Sequence, residues 1–326
     1  MKPFLLTIDT EPDDPNWKGL SRGAITYAGL EGFRRFGKLA EVFELRPTLL
    51  VTYSMAKHPS FEKIVAETGL DRRCEIGMHF HPSDTPPFGA WDPISKDNLL
   101  RLPHEILEEK FSNLHAEISK RFGVPRSFRG GAWALDQRLV KKLIEKKYRV
   151  DSTVTPGISW AMKGRPSYIQ APTSPYFLNP EHLEQSGPSE ILEIPVSILA
   201  KPRKPYGVSI GWIDSLRTMP MYSQSFPLMD MFRKLRPIAP QWLRPAFTSL
   251  PEMLRVTQGL KNEDYLQGMC HSNEFWPGTS PYMQSASDCD AFFKRLEGLC
   301  LAIRDLGYHP MTLIESAEIL GPMVKR

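Results

Sequence analysis

Only four cysteines occur in the 326 residues, and no two of them form a Cys-x-x-Cys pair. So few in so long a chain exclude a disulfide framework. Cys289 and Cys300 fall in one predicted helix, about 16 Å apart along its axis and too far to bridge. All four read as reduced and mostly buried. No apolar run approaches the ~18 residues of a membrane span. The opening Pro3-Phe4-Leu5-Leu6 is short for a signal peptide, and Asp9 follows at once. A soluble, cytoplasmic protein is the expectation. There is no Lys/Arg tract, and a net charge of +4 gives no basis for a nucleic-acid partner. A Gly-rich phosphate loop and a Gly-x-Ser-x-Gly elbow are also missing, which removes two common catalytic frameworks.

What the chain does have is 41% apolar and 10% aromatic residues, ample for a large core. It also has one stretch around which the rest is organised: Cys74-Glu75-Ile76-Gly77-Met78-His79-Phe80-His81-Pro82-Ser83-Asp84. On a strand, alternate side chains share a face, so His79 and His81 point the same way and Phe80 points away. Two neutral imidazoles so placed can reach one metal ion, although a strand ending in two polar residues has the same pattern. Lys2 to Asp9 reads as a buried parallel strand. Asp9 and Glu11 share a face beyond it, and two adjacent carboxylates call for a nearby cation.

The rest of the chain alternates. Helical spacing runs over 27–43, then come a strand at 46–52, a helix at 59–68, the histidine strand, and an amphipathic helix at 105–122. A Pro- and Asp-rich rim loop covers 84–103. Arg129 ends a short strand before a Gly-Gly turn and Trp133, a cation placed to hold a carboxylate. Asp136 reads as an N-cap. Strands are expected at 148–154, ending in Asp151-Ser152-Thr153, and at 191–198. A strand at 265–271 that ends at His271 and is followed by Glu274, a helix at 288–306, a strand at 308–311 and a capping box at Thr312–Glu315 complete the rhythm. Six to eight β–α alternations, with polar residues where strand after strand runs out, predict a β/α barrel whose mouth gathers Asp9, Glu11, His79, His81, Arg129 and His271.

In that order the motifs resemble those of the polysaccharide deacetylase family, the carbohydrate esterases with a NodB homology domain. Thr7-Ile8-Asp9-Thr10-Glu11-Pro12 is similar to the family's Thr-Phe-Asp-Asp-Gly-Pro. Ile76-Gly77-Met78-His79 is similar to the first half of its His-x-x-x-His motif. Arg129-Gly130-Gly131-Ala132-Trp133 stands where it has Arg-x-Pro-Tyr, and Met269-Cys270-His271 where it has Leu-x-His. The resemblance implies a distorted (β/α)7 barrel as one domain over residues 1–326. It also implies a divalent metal, most often zinc with manganese, cobalt or nickel as alternatives, and removal of N- or O-acyl groups from sugars. Carried over by residue, Asp9 is the base, Arg129 its brace and His271 the acid. Glu11, His79 and His81 hold the metal, because Thr10 and Ser83 replace two of the family's ligands. Trp133, Asp151 and Glu274 are expected to meet substrate. The pattern is closest to a divergent branch with Asp-x-Glu and His-x-His.

Two other readings use the same residues: a hydrolase of a small cyclic amide or ureide, as in allantoinase-like relatives, and a barrel that binds glycans without turnover. The joint presence of a base, an acid and a brace favours an enzyme. Residues 215–260 break the alternation. They hold six prolines and the basic residues Arg217, Arg233, Lys234, Arg236, Arg244 and Arg255 against Asp230 and Glu252. This stretch reads as an inserted lid, either a helical flap or a surface for an anionic, partly apolar partner such as a lipid-linked glycan at a membrane.

Overall fold

A strand with no polar face must be covered on both sides, and Lys2–Thr10 is buried from Pro3 onward. In the computed structural model, which describes residues 1–14, 25–91, 99–161, 164–199 and 240–324, this segment is β1 of a curled, half-barrel parallel sheet. β2 (Thr48–Val51), β3 (Glu75–Phe80), β4 (Ser127–Gly130) and β5 (Val150–Asp151) follow it side by side. β6 (Tyr176–Phe177) and β7 (Leu192–Glu193) end that flank, with β7 next to β5 and β6 antiparallel to β7. β8 (Ile198–Leu199) and β9 (Gln241–Trp242) form a separate antiparallel pair. β10 (Leu266–His271) runs along β1 from Phe4↔Leu266 to Asp9↔His271, and β11 (Tyr308–Met311) pairs with the first half of β1. Between β7 and β10 the wall is completed by irregular bonds: Gln267 N–H donates to Ser197 Oγ, and Met269 N–H to Leu243 O.

Helices pack outside the strands: α1 (Gly32–Val42), α2 (Tyr53–Lys57), α3 (Pro59–Glu67), α4 (His104–Phe122), α5 (Gln137–Glu145), α6 (Leu250–Gly259), α7 (Ala286–Asp305) and α8 (Leu313–Val324). Their apolar stripes supply the core, through Phe33 and Phe36 of α1, Phe111, Leu114 and Ile118 of α4, and Phe292, Leu296 and Leu299 of α7. Each such side chain, once removed from water, contributes about 1.5–3 kcal/mol. Helix ends follow local chemistry. Asp136 caps α5 by accepting from Leu139 N–H, and Ser285 with Asp288 forms a capping box on α7. Gly307, with φ of 74°, turns the chain from α7 into β11.

The β/α barrel expected from the alternation is the observed fold, with four local differences, one being that the strand expected at 191–198 is two short ones, β7 and β8. The helix predicted over 27–43 opens with a 3-10 turn at Ala28–Glu31. The strand predicted over 148–154 pairs in register only at Val150–Asp151; beyond it Ser152 O accepts from Arg129 Nε, and Thr153 Oγ1 accepts from the Gly130 N–H. The insertion at 215–260 is too wide. Residues 215–239, with Arg217 to Arg236, lie outside the described residues, but 240–260 belongs to the barrel. Leu243, Ala246, Met253 and Val256 sit in the main core, and α6 is the helix that leads into β10. Its prolines hid that role. Pro251 is in the first turn of α6, where a missing N–H costs nothing. Among the described residues no helix is long and apolar enough to cross a membrane.

Candidate active site

Parallel pairing sets neighbouring strand ends side by side, and the register places Asp9 beside His271 and His79 beside Arg129. Arg129 is fully buried, so its charge requires a full set of acceptors. Nη1 donates to Asp9 Oδ1 at 2.6 Å, Nε to Ser152 O at 2.8 Å, and Nη2 to Thr7 Oγ1 at 2.9 Å and Ser152 Oγ at 3.0 Å. Burial pushes the Asp9 carboxyl up, but Arg129, then His79 and His271, together hold it below the ordinary carboxylate range. Its second oxygen lies between two imidazoles, 3.7 Å from His79 Nε2 and 3.8 Å from His271 Nε2.

Glu11 is fixed from the opposite side of β1. Its N–H donates to Ser272 Oγ, which in turn donates to Glu11 O, both at 3.0 Å. Glu11 Oε1 then stands 2.8 Å from His79 Nε2 and 3.2 Å from His81 Nε2, while the two Nε2 atoms are 3.1 Å apart. His79 and His81 share a face, as residues two apart on an extended strand must. His79 Nδ1 lies 3.1 Å from Arg129 O. A carbonyl only accepts, so Nδ1 carries the proton and Nε2 is left with a lone pair. Three lone-pair atoms this close repel unless a proton or cation lies among them. A proton on one imidazole relieves some of these contacts, whereas a divalent cation relieves all of them. One carboxylate and two imidazoles are also a ligand set that zinc uses in hydrolytic sites, with a further position open. Against burial, His81 and His79 hold Glu11 well below the ordinary range, so it is an anion ready to bind a cation.

Close packing completes this corner. A methyl group on Gly131 would come within 2.8 Å of the His81 ring, so the Gly-Gly turn is needed for the chain to pass beneath it. Ala132 and Trp133 follow with φ of 52° and 62°, a strained turn that lays the Trp133 ring over Arg129 at 5.3 Å. Lys110 of α4 is fully buried and donates to Pro82 O, Thr85 O and Pro87 O at 2.9, 2.6 and 2.6 Å. It thereby fastens the loop that follows His81.

Two residues expected at the substrate surface lie elsewhere. Asp151 is fully buried and faces Glu193 across β5 and β7. Burial raises both carboxyls, Glu193 well above its usual range. Asp151 Oδ2 and Glu193 Oε2 have no other partner among the described residues, and a proton held between them accounts for both. Glu274, also fully buried, accepts from Arg244 Nη2 at 2.7 Å and from the His271 N–H at 3.0 Å. It supports His271 from behind. Trp133 is partly exposed and packs beside Trp160 and Trp242. Sequence reasoning missed Arg244, whose Nη2 lies 2.8 Å from His271 Nδ1; it stands in the Pro-rich stretch assigned to the insertion.

The fold is one on which polysaccharide deacetylases are built. A candidate glycoside hydrolase/deacetylase from Parabacteroides distasonis superposes with a TM-score of 0.60 at 13% identity, covering 98% of this chain and 71% of that one. A candidate polysaccharide deacetylase from Mycobacterium smegmatis does so with a TM-score of 0.51 at 15% identity, covering 91% and 79%. No family model and no curated protein matches the sequence.

Proposed function

We propose that the protein is a metal-dependent hydrolase that removes an acyl group, most simply acetyl, from an amino sugar or a related carbohydrate. The observation that carries this reading is the convergence at one mouth of a buried, Arg-braced carboxylate, a Glu–His–His cluster and a separate histidine 3.8 Å from that carboxylate. Glu11, His79 and His81 would hold a divalent ion, zinc fitting the donor set best. When bound, such an ion polarises an acyl carbonyl and lowers the pKa of water. Asp9 then accepts the proton of the attacking water through Oδ2, because Oδ1 is committed to Arg129. His271 supplies a proton to the departing nitrogen or oxygen from its Nε2 side and regains one from Asp9, whose Oδ2 lies 3.8 Å away, and the products are the free sugar amine or alcohol and the carboxylic acid. The Asp9–Arg129 pair also argues against a barrel that only binds glycans. Recognition of a neutral sugar does not need a buried ion pair beside a cation site, whose desolvation is costly.

The test joins metal content to turnover. Purified protein should contain about one equivalent of metal by elemental analysis and release acetate from one or more N-acetyl sugars. The His79→Ala/His81→Ala double variant should lose the metal, and Asp9→Asn should keep metal and lose turnover. Equal metal in the double variant and the natural protein would overturn the ligand assignment. Turnover of a cyclic ureide with no sugar deacetylation would move the substrate class to small amides.

A further inference from the structure

Glu11 can join two different groups of ligand atoms, one with His79 and His81 and one with Asp9 and His271. Distances alone do not choose between them, but the hydrogen bonds on the far side of each ring do. An imidazole binds metal through a nitrogen without a proton, and its other nitrogen's partner decides which one that is. His79 Nδ1 faces the Arg129 carbonyl, so Nε2 is bare. His271 is the reverse. Its Nδ1 lies 2.8 Å from Arg244 Nη2, and a guanidinium can only donate. Nδ1 must therefore be bare, and the proton of the neutral ring sits on Nε2, the atom that faces Asp9.

The competing arrangement has Nδ1 donating to Glu274 Oε1, which lies farther off at 3.4 Å. It would also turn an N–H toward the guanidinium at 2.8 Å, donor against donor. Glu274 is otherwise engaged, since Oε1 accepts from Arg244 at 2.7 Å and Oε2 accepts from the His271 N–H at 3.0 Å. Arg244 is itself held by Glu274 and by the Phe247 ring, 4.7 Å from its guanidinium carbon, so it cannot swing away without leaving a buried carboxylate unpaired.

We infer that Arg244 is a positioning residue that fixes the tautomer of His271, making it an Nε2–H donor and barring it from the metal. The tautomer claim stands on hydrogen bonding alone; its catalytic meaning rests on the proposed hydrolase reading. In that reading Arg244 separates the three mouth histidines into two ligands and one donor.

The experiment uses the full chain, stripped of metal and labelled with ¹⁵N-histidine, at about pH 8, where a free imidazole is neutral. Long-range ¹H–¹⁵N spectra report the tautomer, and the His271 signals are those missing from His271→Gln. The natural protein should show Nε2 protonated and Nδ1 bare; a protonated Nδ1 would overturn the inference, whatever any variant does. Arg244→Met should transfer the proton to Nδ1, facing Glu274, while Arg244→Lys, which still donates, should keep it on Nε2. An unchanged Nε2–H tautomer in folded Arg244→Met would also overturn it. Zinc titration adds a readout free of turnover. His271→Gln should bind zinc within about threefold of the natural protein, and a loss beyond about 100-fold would make His271 a ligand after all. If the tautomer is as inferred and no sugar is deacetylated, the hydrolase reading fails and this inference stands.

Discussion

Replacing Arg129 with methionine should expose how much the buried pair with Asp9 contributes. Methionine fills much of the same space, so the loss is mainly electrostatic. The guanidinium makes four hydrogen bonds, but three go to neutral oxygens of Thr7 and Ser152, which can rebond to one another. The uncompensated group is Asp9. Breaking a buried pair by removing one partner costs about 3–5 kcal/mol. His79 and His271 still face Asp9, so about 3 kcal/mol is expected at neutral pH. The pH dependence is the sharper test. In the natural protein Asp9 is held below its ordinary value, so its contribution is present above about pH 4 and lost as pH falls. Without Arg129, burial dominates and the Asp9 pKa rises above its unfolded value. The folded variant then binds the proton more tightly than the unfolded chain, and its stability declines as pH rises past about 4. The two stability curves should therefore diverge from about pH 4 toward 7. Urea unfolding of metal-stripped protein at several pH values measures this. A difference below about 1 kcal/mol, or one that stays flat across that range, would refute the reasoning.

On a substrate found by the acetate screen, His271→Gln should lower kcat by about 10²–10⁴-fold with KM little changed; full activity would mean that another group donates the proton. Glu274 makes a prediction in acid. Burial raises it, but Arg244 and His271 outweigh burial and bring it from an ordinary 4.5 to about 2, so its stabilisation is complete above 4.5 and is lost as pH falls through that interval. That loss is worth up to about 3 kcal/mol, and acid unfolding of Glu274→Gln should lack it; identical acid limbs would show that Glu274 carries no such charge.

The part of the site legible in the sequence is the part written in strand periodicity. Asp9 with Glu11, and His79 with His81, are each two apart on strands that end together, so period two and parallel register suffice to gather them. Asp151 was misread because its strand also ends at the mouth, and sequence alone does not show that Glu193 on the neighbouring strand takes up its carboxyl. Glu274 was misread for the same kind of reason, its partner lying thirty positions back. Arg244 and Lys110 were beyond reach. Their partners are carbonyls, a ring nitrogen and a carboxylate brought up by packing, and no spacing rule marks a lysine bound to three backbone oxygens. The barrel itself was legible except around 240–244, a Pro-flanked part of the wall read as insertion, and at 191–198, where the one expected strand is two short ones, β7 and β8.

The pairing of β1 with β10 has a consequence for how the protein is made. Glu11 and Ser272, which hold each other in place, are 261 positions apart, so the two halves of the mouth are synthesised at well-separated stages of translation. Until β10 and β11 emerge, β1 has neither of them beside it, and an open strand edge is the usual place for a chain to join its neighbours. A ribosome-stalled or truncated product ending before residue 266 would carry Asp9, Glu11, His79, His81 and Arg129 yet lack the strand that bears His271. Such a chain should be prone to aggregate, and holdase chaperones would be expected to guard it during synthesis.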